Sequence, residues 1–133
     1  MSASILTAQR IDVATAELPE GSPEAFAVKF ARVAHAGDLE KAKSMVSDEF
    51  MATTRAGGKE EEALIEPYLS ADFDKVFQYT MSVPQSAEYP NECAITIRYF
   101  STAKGRNTNR YFSLKKVDGN WLIVLDRERE AKK

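Results

Sequence analysis

The stretch Arg110-Tyr-Phe-Ser-Leu-Lys-Lys-Val-Asp-Gly-Asn-Trp-Leu-Ile-Val-Leu125 decides how the rest of the chain is read. Asp118-Gly119 stands between two runs rich in aromatic and β-branched residues. A type I′ hairpin turn needs positive φ at both central positions, which this pair tolerates. The spacing predicts a hairpin whose strands span 108–117 and 121–125. Phe112 and Leu114 fall on one side together with Arg110 and Lys116, whereas 121–125 is apolar on both faces. Such a strand is covered twice, by its place in mid-sheet, by an N-terminal arm or by a partner subunit.

Upstream, Cys93, Ile95, Ile97 and Tyr99 share one strand face, opposite Arg98 and Phe100. Phe77, Tyr79, Met81 and Val83 share a face of another strand, expected to start near Lys75, with 84–91 as the connection. Ahead of the sheet the apolar period is helical. Ser22-Pro23-Glu24 opens a helix: Ser accepts from orphan amides, Pro loses no needed bond in the first turn, and Glu suits the positive dipole end. Phe26, Ala27, Phe30, Ala31, Val33 and Ala34 continue it, and Gly37 ends it. Asp38 caps a second helix through Leu39, Ala42, Met45 and Val46. Residues 50–54 read as a short strand, and Gly57-Gly58 breaks the chain. A third helix is expected over 59–66, kinked or restarted at Pro67. The expected fold is therefore α+β, with three N-terminal helices packed on a curved antiparallel sheet of four to six strands. Residues 1–21 read as a flexible arm with a short strand near 10–14, 22–127 as one domain and 128–133 as a charged tail.

A chain of 133 residues suits a single domain. Its 18 basic and 20 acidic residues, net charge -2, give no global attraction to nucleic acid or anionic lipid, so neither is an expected partner. No apolar run approaches the ~18 residues of a membrane span. Cys93 is alone, which excludes an intramolecular disulfide, and with one His the chain lacks a Cys/His zinc set. No metal or cofactor is expected. Residues 1–8 lack a basic start and apolar stretch, so the expected compartment is the cytoplasm, or the periplasm or exterior for a chain whose signal peptide has been removed.

Three segments carry a resemblance: Ser22-Pro-Glu-Ala-Phe-Ala-Val-Lys-Phe, then Ala36-Gly-Asp-Leu-Glu-Lys-Ala-Lys with Ser47-Asp-Glu-Phe, and Phe112-Ser-Leu-Lys-Lys-Val-Asp-Gly-Asn-Trp-Leu-Ile. Over about 22–127 the chain resembles the nuclear-transport-factor-2-like superfamily, whose members include ketosteroid isomerase, scytalone dehydratase and the SnoaL cyclases. It is most similar to the small bacterial lumazine-binding-like domains of that group. The resemblance implies a strongly bent sheet wrapped around the first helix, with a cavity at the open end of a cone. It does not fix function, because relatives include enzymes, transport factors and toxin-immunity proteins.

Candidate chemistry is sparse. His35 is the one imidazole and the first choice for a general base, set against a capping role at the end of its helix. Asp126, with Asp72 and Asp74, adjoins apolar segments and is the other choice, set against turn and strand-end roles. Phe30, Tyr68, Tyr79, Phe100, Phe112 and Trp121 are the residues expected to line a pocket for a hydrophobic ligand, set against an ordinary aromatic core. Arg98, Lys104, Arg106, Arg110, Lys115 and Lys116 form a basic cluster on adjacent strands, read as a surface for an acidic protein or a phosphate, or as routine edge protection. The expected function is a non-catalytic domain binding a partner protein or a small hydrophobic ligand, and homodimerising through its sheet. In a toxin-immunity version, Glu60, Glu61 and Glu62 meet a basic target. The alternative is a small cofactor-free isomerase, cyclase or dehydratase.

Overall fold

The computed structural model describes residues 10–56 and 61–129. Among them the elements run β1 (Ile11–Asp12), α1 (Pro23–His35), α2 (Leu39–Ser44), α3 (Asp48–Ala56), a 3-10 turn (Glu61–Leu64), α4 (Glu66–Leu69), β2 (Ala71–Val83), β3 (Glu92–Ser101), β4 (Arg106–Val117) and β5 (Asn120–Glu128). The strands form one curved antiparallel meander in the order β1-β2-β3-β4-β5.

Local signals explain the boundaries. Ser22 Oγ accepts from the Ala25 amide at 3.1 Å, and Asp38 Oδ1 from the Lys41 amide at 3.2 Å, so each helix starts on its own cap. Gly37 has φ 79°, the left-handed step that stops α1. Asp118 and Gly119 have φ 53° and 83°, as a type I′ turn requires. Ala27, Ala31 and Ala34 are fully buried on α1, and their small side chains let the helix lie close to the sheet while Phe30 projects into it.

Several elements differ from expectation. Residues 50–54 are helical, because Ser47 Oγ accepts from the Phe50 amide at 3.1 Å and Asp48 and Glu49 supply negative charge to the first turn. The third expected helix is, in its described part, a 3-10 turn followed by a four-residue helix with Pro67 in its first turn. Gly57-Gly58 and Lys59 lie outside the described residues. β2 starts at Ala71, so Asp72 and Asp74 are strand residues, with Phe73 to Val76 accommodated in a shift of register against β3. From residue 10 onward the arm is docked: the Val13 amide donates to Phe77 O at 2.9 Å, and Trp121 Nε1 donates to Gly21 O at 3.1 Å.

Cys93 is buried opposite Leu114, and burial, reinforced by Glu24, pushes its thiol up to about 11. In the folded state it stays protonated while an unfolded thiol ionises, so stability should fall as pH climbs from about 9 to about 11. At pH 8 the native protein is expected to react with iodoacetamide at least about 100-fold more slowly than the urea-unfolded chain. Equal rates would mean the thiol faces water.

Candidate functional site

A buried phenol, carboxylate and guanidinium are brought together by three elements. Pro67 restarts the chain as α4, which aims Tyr68 inward; β4 supplies Arg110 and β5 supplies Asp126. Tyr68 Oη donates to Asp126 Oδ2 at 2.9 Å, and Arg110 Nε donates to Asp126 Oδ1 at 3.0 Å. The carboxylate side chain is 4% exposed and the guanidinium side chain 14%. Burial pushes the Asp126 carboxyl up, against the pull of Arg110 and the two hydrogen bonds. Burial and the Asp126 charge hold the Tyr68 phenol well above its usual range. Burial pulls the Arg110 guanidinium down, but the adjacent carboxylate outweighs it and holds the group above its ordinary value.

Rings close the space around this chain. Phe30 meets Tyr68 and Phe112 edge to face, with centroids 5.9 Å and 5.7 Å away. Tyr99 tilts against Tyr68 at 5.6 Å. All four side chains are essentially fully buried. The geometry therefore leaves Asp126 with each oxygen already accepting a bond, next to a cluster of buried rings.

α4 is too short to satisfy its own carbonyls, and neighbours do so. Tyr99 Oη donates to Pro67 O at 2.7 Å, and His35 Nδ1 donates to Tyr68 O at 2.8 Å. The Tyr99 phenol is raised above its ordinary value by burial. His35 thus tethers α4 to the end of α1. Its ring leans on Phe73 at 4.9 Å, and its hydrogen-bonded partner is a carbonyl rather than an acid. His35, Asp72, Phe73 and Asp74 do share an open hollow of about 430 Å³ with Arg32. There Asp72 Oδ1 is engaged by the Asp74 and Lys75 amides, so it caps a local turn.

Of the six aromatic residues expected to line a pocket, Phe30, Tyr68 and Phe112 converge. Tyr79 lies beside β1, paired with Ile11; burial and Glu24 raise its phenol. Phe100 faces the other side of the sheet, with Lys75 Nζ 4.2 Å from its ring centre. Trp121 is committed to the arm through Gly21. Arg110 leaves the expected basic surface cluster and faces inward. Lys104 is paired with Glu128, and Lys116 lies 5.6 Å over Trp121. Within the acidic run, Glu61 binds Lys43 at 3.1 Å and Glu62 is exposed, while Glu60 lies outside the described residues.

Among the described residues no helix is long and apolar enough to cross a membrane, and no group of three or more His, Cys, Asp and Glu is arranged to hold a metal ion. What the fold and site define is an α+β meander domain closed by a buried phenol, carboxylate and guanidinium chain. No family model, curated protein or solved structure matches the chain.

Proposed function

We propose that this chain is a non-catalytic binding domain of the nuclear-transport-factor-2-like cone type, and that what it engages is a partner protein. The observation that carries the reading is the engagement of Asp126 by Tyr68 and Arg110 beneath four buried rings. A proton-transfer enzyme of this shape needs a carboxylate that can reach a substrate carbon and exchange its proton. Here both carboxylate oxygens already accept bonds, and buried rings pack the interior beside Tyr68. The same filling argues for a protein at the surface over a hydrophobic molecule inside.

The rival isomerase, cyclase or dehydratase makes a distinct prediction. Incubated with enolisable cyclic ketones in deuterated buffer, the protein is expected to exchange α-hydrogens no faster than buffer alone, as followed by proton NMR. Exchange above buffer that disappears in Asp126→Asn would overturn the binding-domain reading.

A further inference from the structure

Charge is segregated along the sequence: residues 92–133 carry ten Lys and Arg against five Asp and Glu, whereas 1–91 carry eight against fifteen. Within 92–133, β3, β4 and β5 hold Arg98, Arg106, Arg110, Lys115, Lys116 and Arg127 against Glu92, Asp126 and Glu128, and part of this positive charge gathers on the sheet face turned away from α1. Cross-strand register orders that face in rows. Ala94 pairs with Ser113 and Ser113 with Leu125; Thr96 pairs with Tyr111 and Tyr111 with Arg127. In the next row Arg98 pairs with Asn109, whose carbonyl receives the Arg129 amide. Arg10 lies close enough to Arg98 that its charge, after burial, lowers the Arg98 guanidinium.

The row of Ala94 and Ser113 opens, with Val83, Pro84, Tyr89 and Tyr111, on a hollow of about 170 Å³, wide enough for one apolar side chain. Ser86 and Glu92 also line it, and Glu92 stands on the end away from the arginines, opposite Lys115. Val83 and Tyr89, on its rim, are 51% and 57% exposed, and nearby Leu125 is 36% exposed. Beyond the hollow the face is cationic. Arg127 and Arg129 lie 4.9 Å and 5.6 Å from the Tyr111 ring centre, which holds both guanidinium groups over the face. Among the described residues neither they nor Arg98 has a carboxylate within ion-pair distance.

We propose that this face docks an extended acidic segment of a partner protein, an inference that rests on the binding-domain reading and names its surface. One apolar side chain of the segment fills the hollow. Carboxylates two to four residues further along reach Arg127 and Arg98, because successive rows are about 7 Å apart and an extended partner advances at the same pitch. Planar guanidinium forks bind carboxylates in pairs, and the ring under Arg127 and Arg129 limits the freedom lost on binding. A nucleic acid fits less well, since the aromatic ring it would stack on is occupied by arginine. A second copy docking the same face would set Arg98 and Arg127 against their own counterparts.

The test is selection of randomised twelve-residue displayed peptides on the wild-type protein, with sedimentation velocity on the same sample. The expected winners carry an acidic pair two to four residues after an apolar one. As synthetic peptides they bind at least tenfold more weakly to Arg98→Glu/Arg127→Glu, and more weakly to Tyr89→Ala, both variants retaining the wild-type melting temperature. Absence of enrichment, winners without acidic bias or equal affinity for the charge-reversed variant would overturn the proposal. So would tighter binding of oligothymidylate than of the peptides, or a dimer that the charge reversal dissolves. Each of these results leaves the ketone-exchange outcome untouched, so this surface can fail while the non-catalytic reading stands.

Discussion

Arg110→Met is expected to destabilise the protein by about 3–5 kcal/mol, because it removes the cation from a carboxylate that is almost fully buried and leaves the charge uncompensated. The measurement is the urea midpoint at pH 7 with an unchanged slope. The cause is separable from lost packing. Replacing the whole chain as Tyr68→Phe/Arg110→Met/Asp126→Leu removes every buried polar partner at once, and such replacements tend to be neutral or stabilising. The triple variant should therefore be more stable than the single one, a non-additivity that only coupled groups produce. The pH dependence has a definite sign. Burial already raises the Asp126 carboxyl, and without Arg110 it rises further. Folding then favours the protonated acid, so the deficit of Arg110→Met shrinks as pH falls through the usual carboxylate range and grows as pH rises above it. A deficit below about 1 kcal/mol, flat with pH, would mean that water reaches Asp126 and that no lock exists.

Part of this site is legible in the sequence and part is not. Arg110 shares the side of Phe112 and Leu114 in simple alternation, so its inward direction follows from the sequence and separates it from the surface cations. Asp126 is different. Trp121 and Ile123 face inward, so strict alternation sends Asp126 outward. The ladder pairs Leu114 with Ile123 but Ser113 with Leu125, which leaves Val124 as an extra residue and turns Asp126 to the inner side opposite Phe112. That shift depends on how the strand meets the rest of the fold, including the bonds of Ile123 to Met45 and Ser47, and no local pattern announces it. The helix at Asp48–Ala56 is announced by Ser47-Asp-Glu, a cap followed by two acids, and this signal outweighs the strand preference of the β-branched Thr53 and Thr54. Caps at Ser22 and Asp38, the stop at Gly37 and the Asp118-Gly119 turn were legible because each depends on its immediate neighbours alone.

Phe112→Ala tests the filled interior directly. The ring is fully buried between Phe30 and Tyr68, so truncation should lower stability by about 3–5 kcal/mol, the range for a large aromatic group lost from a core that cannot collapse. The space left is lined by rings and suits a small apolar guest. Benzene should therefore raise the melting temperature of Phe112→Ala in a saturable way, following the ordinary dependence of stability on ligand concentration. The wild-type protein should show no rise beyond what the surface hollow beside Tyr89 contributes, which Tyr89→Ala removes, and Phe100→Ala, a half-buried ring on the opposite face, should lose about 1 kcal/mol or less and respond to the guest as the wild type does. The contrast bears on function as well as packing. A wild-type protein that responds to benzene as the variant does, and equally so with Tyr89→Ala in place to remove the surface hollow, would contain a vacancy beside Tyr68 and Asp126, where a planar substrate could meet the acid, and the ground for preferring a binding domain over an enzyme would be gone.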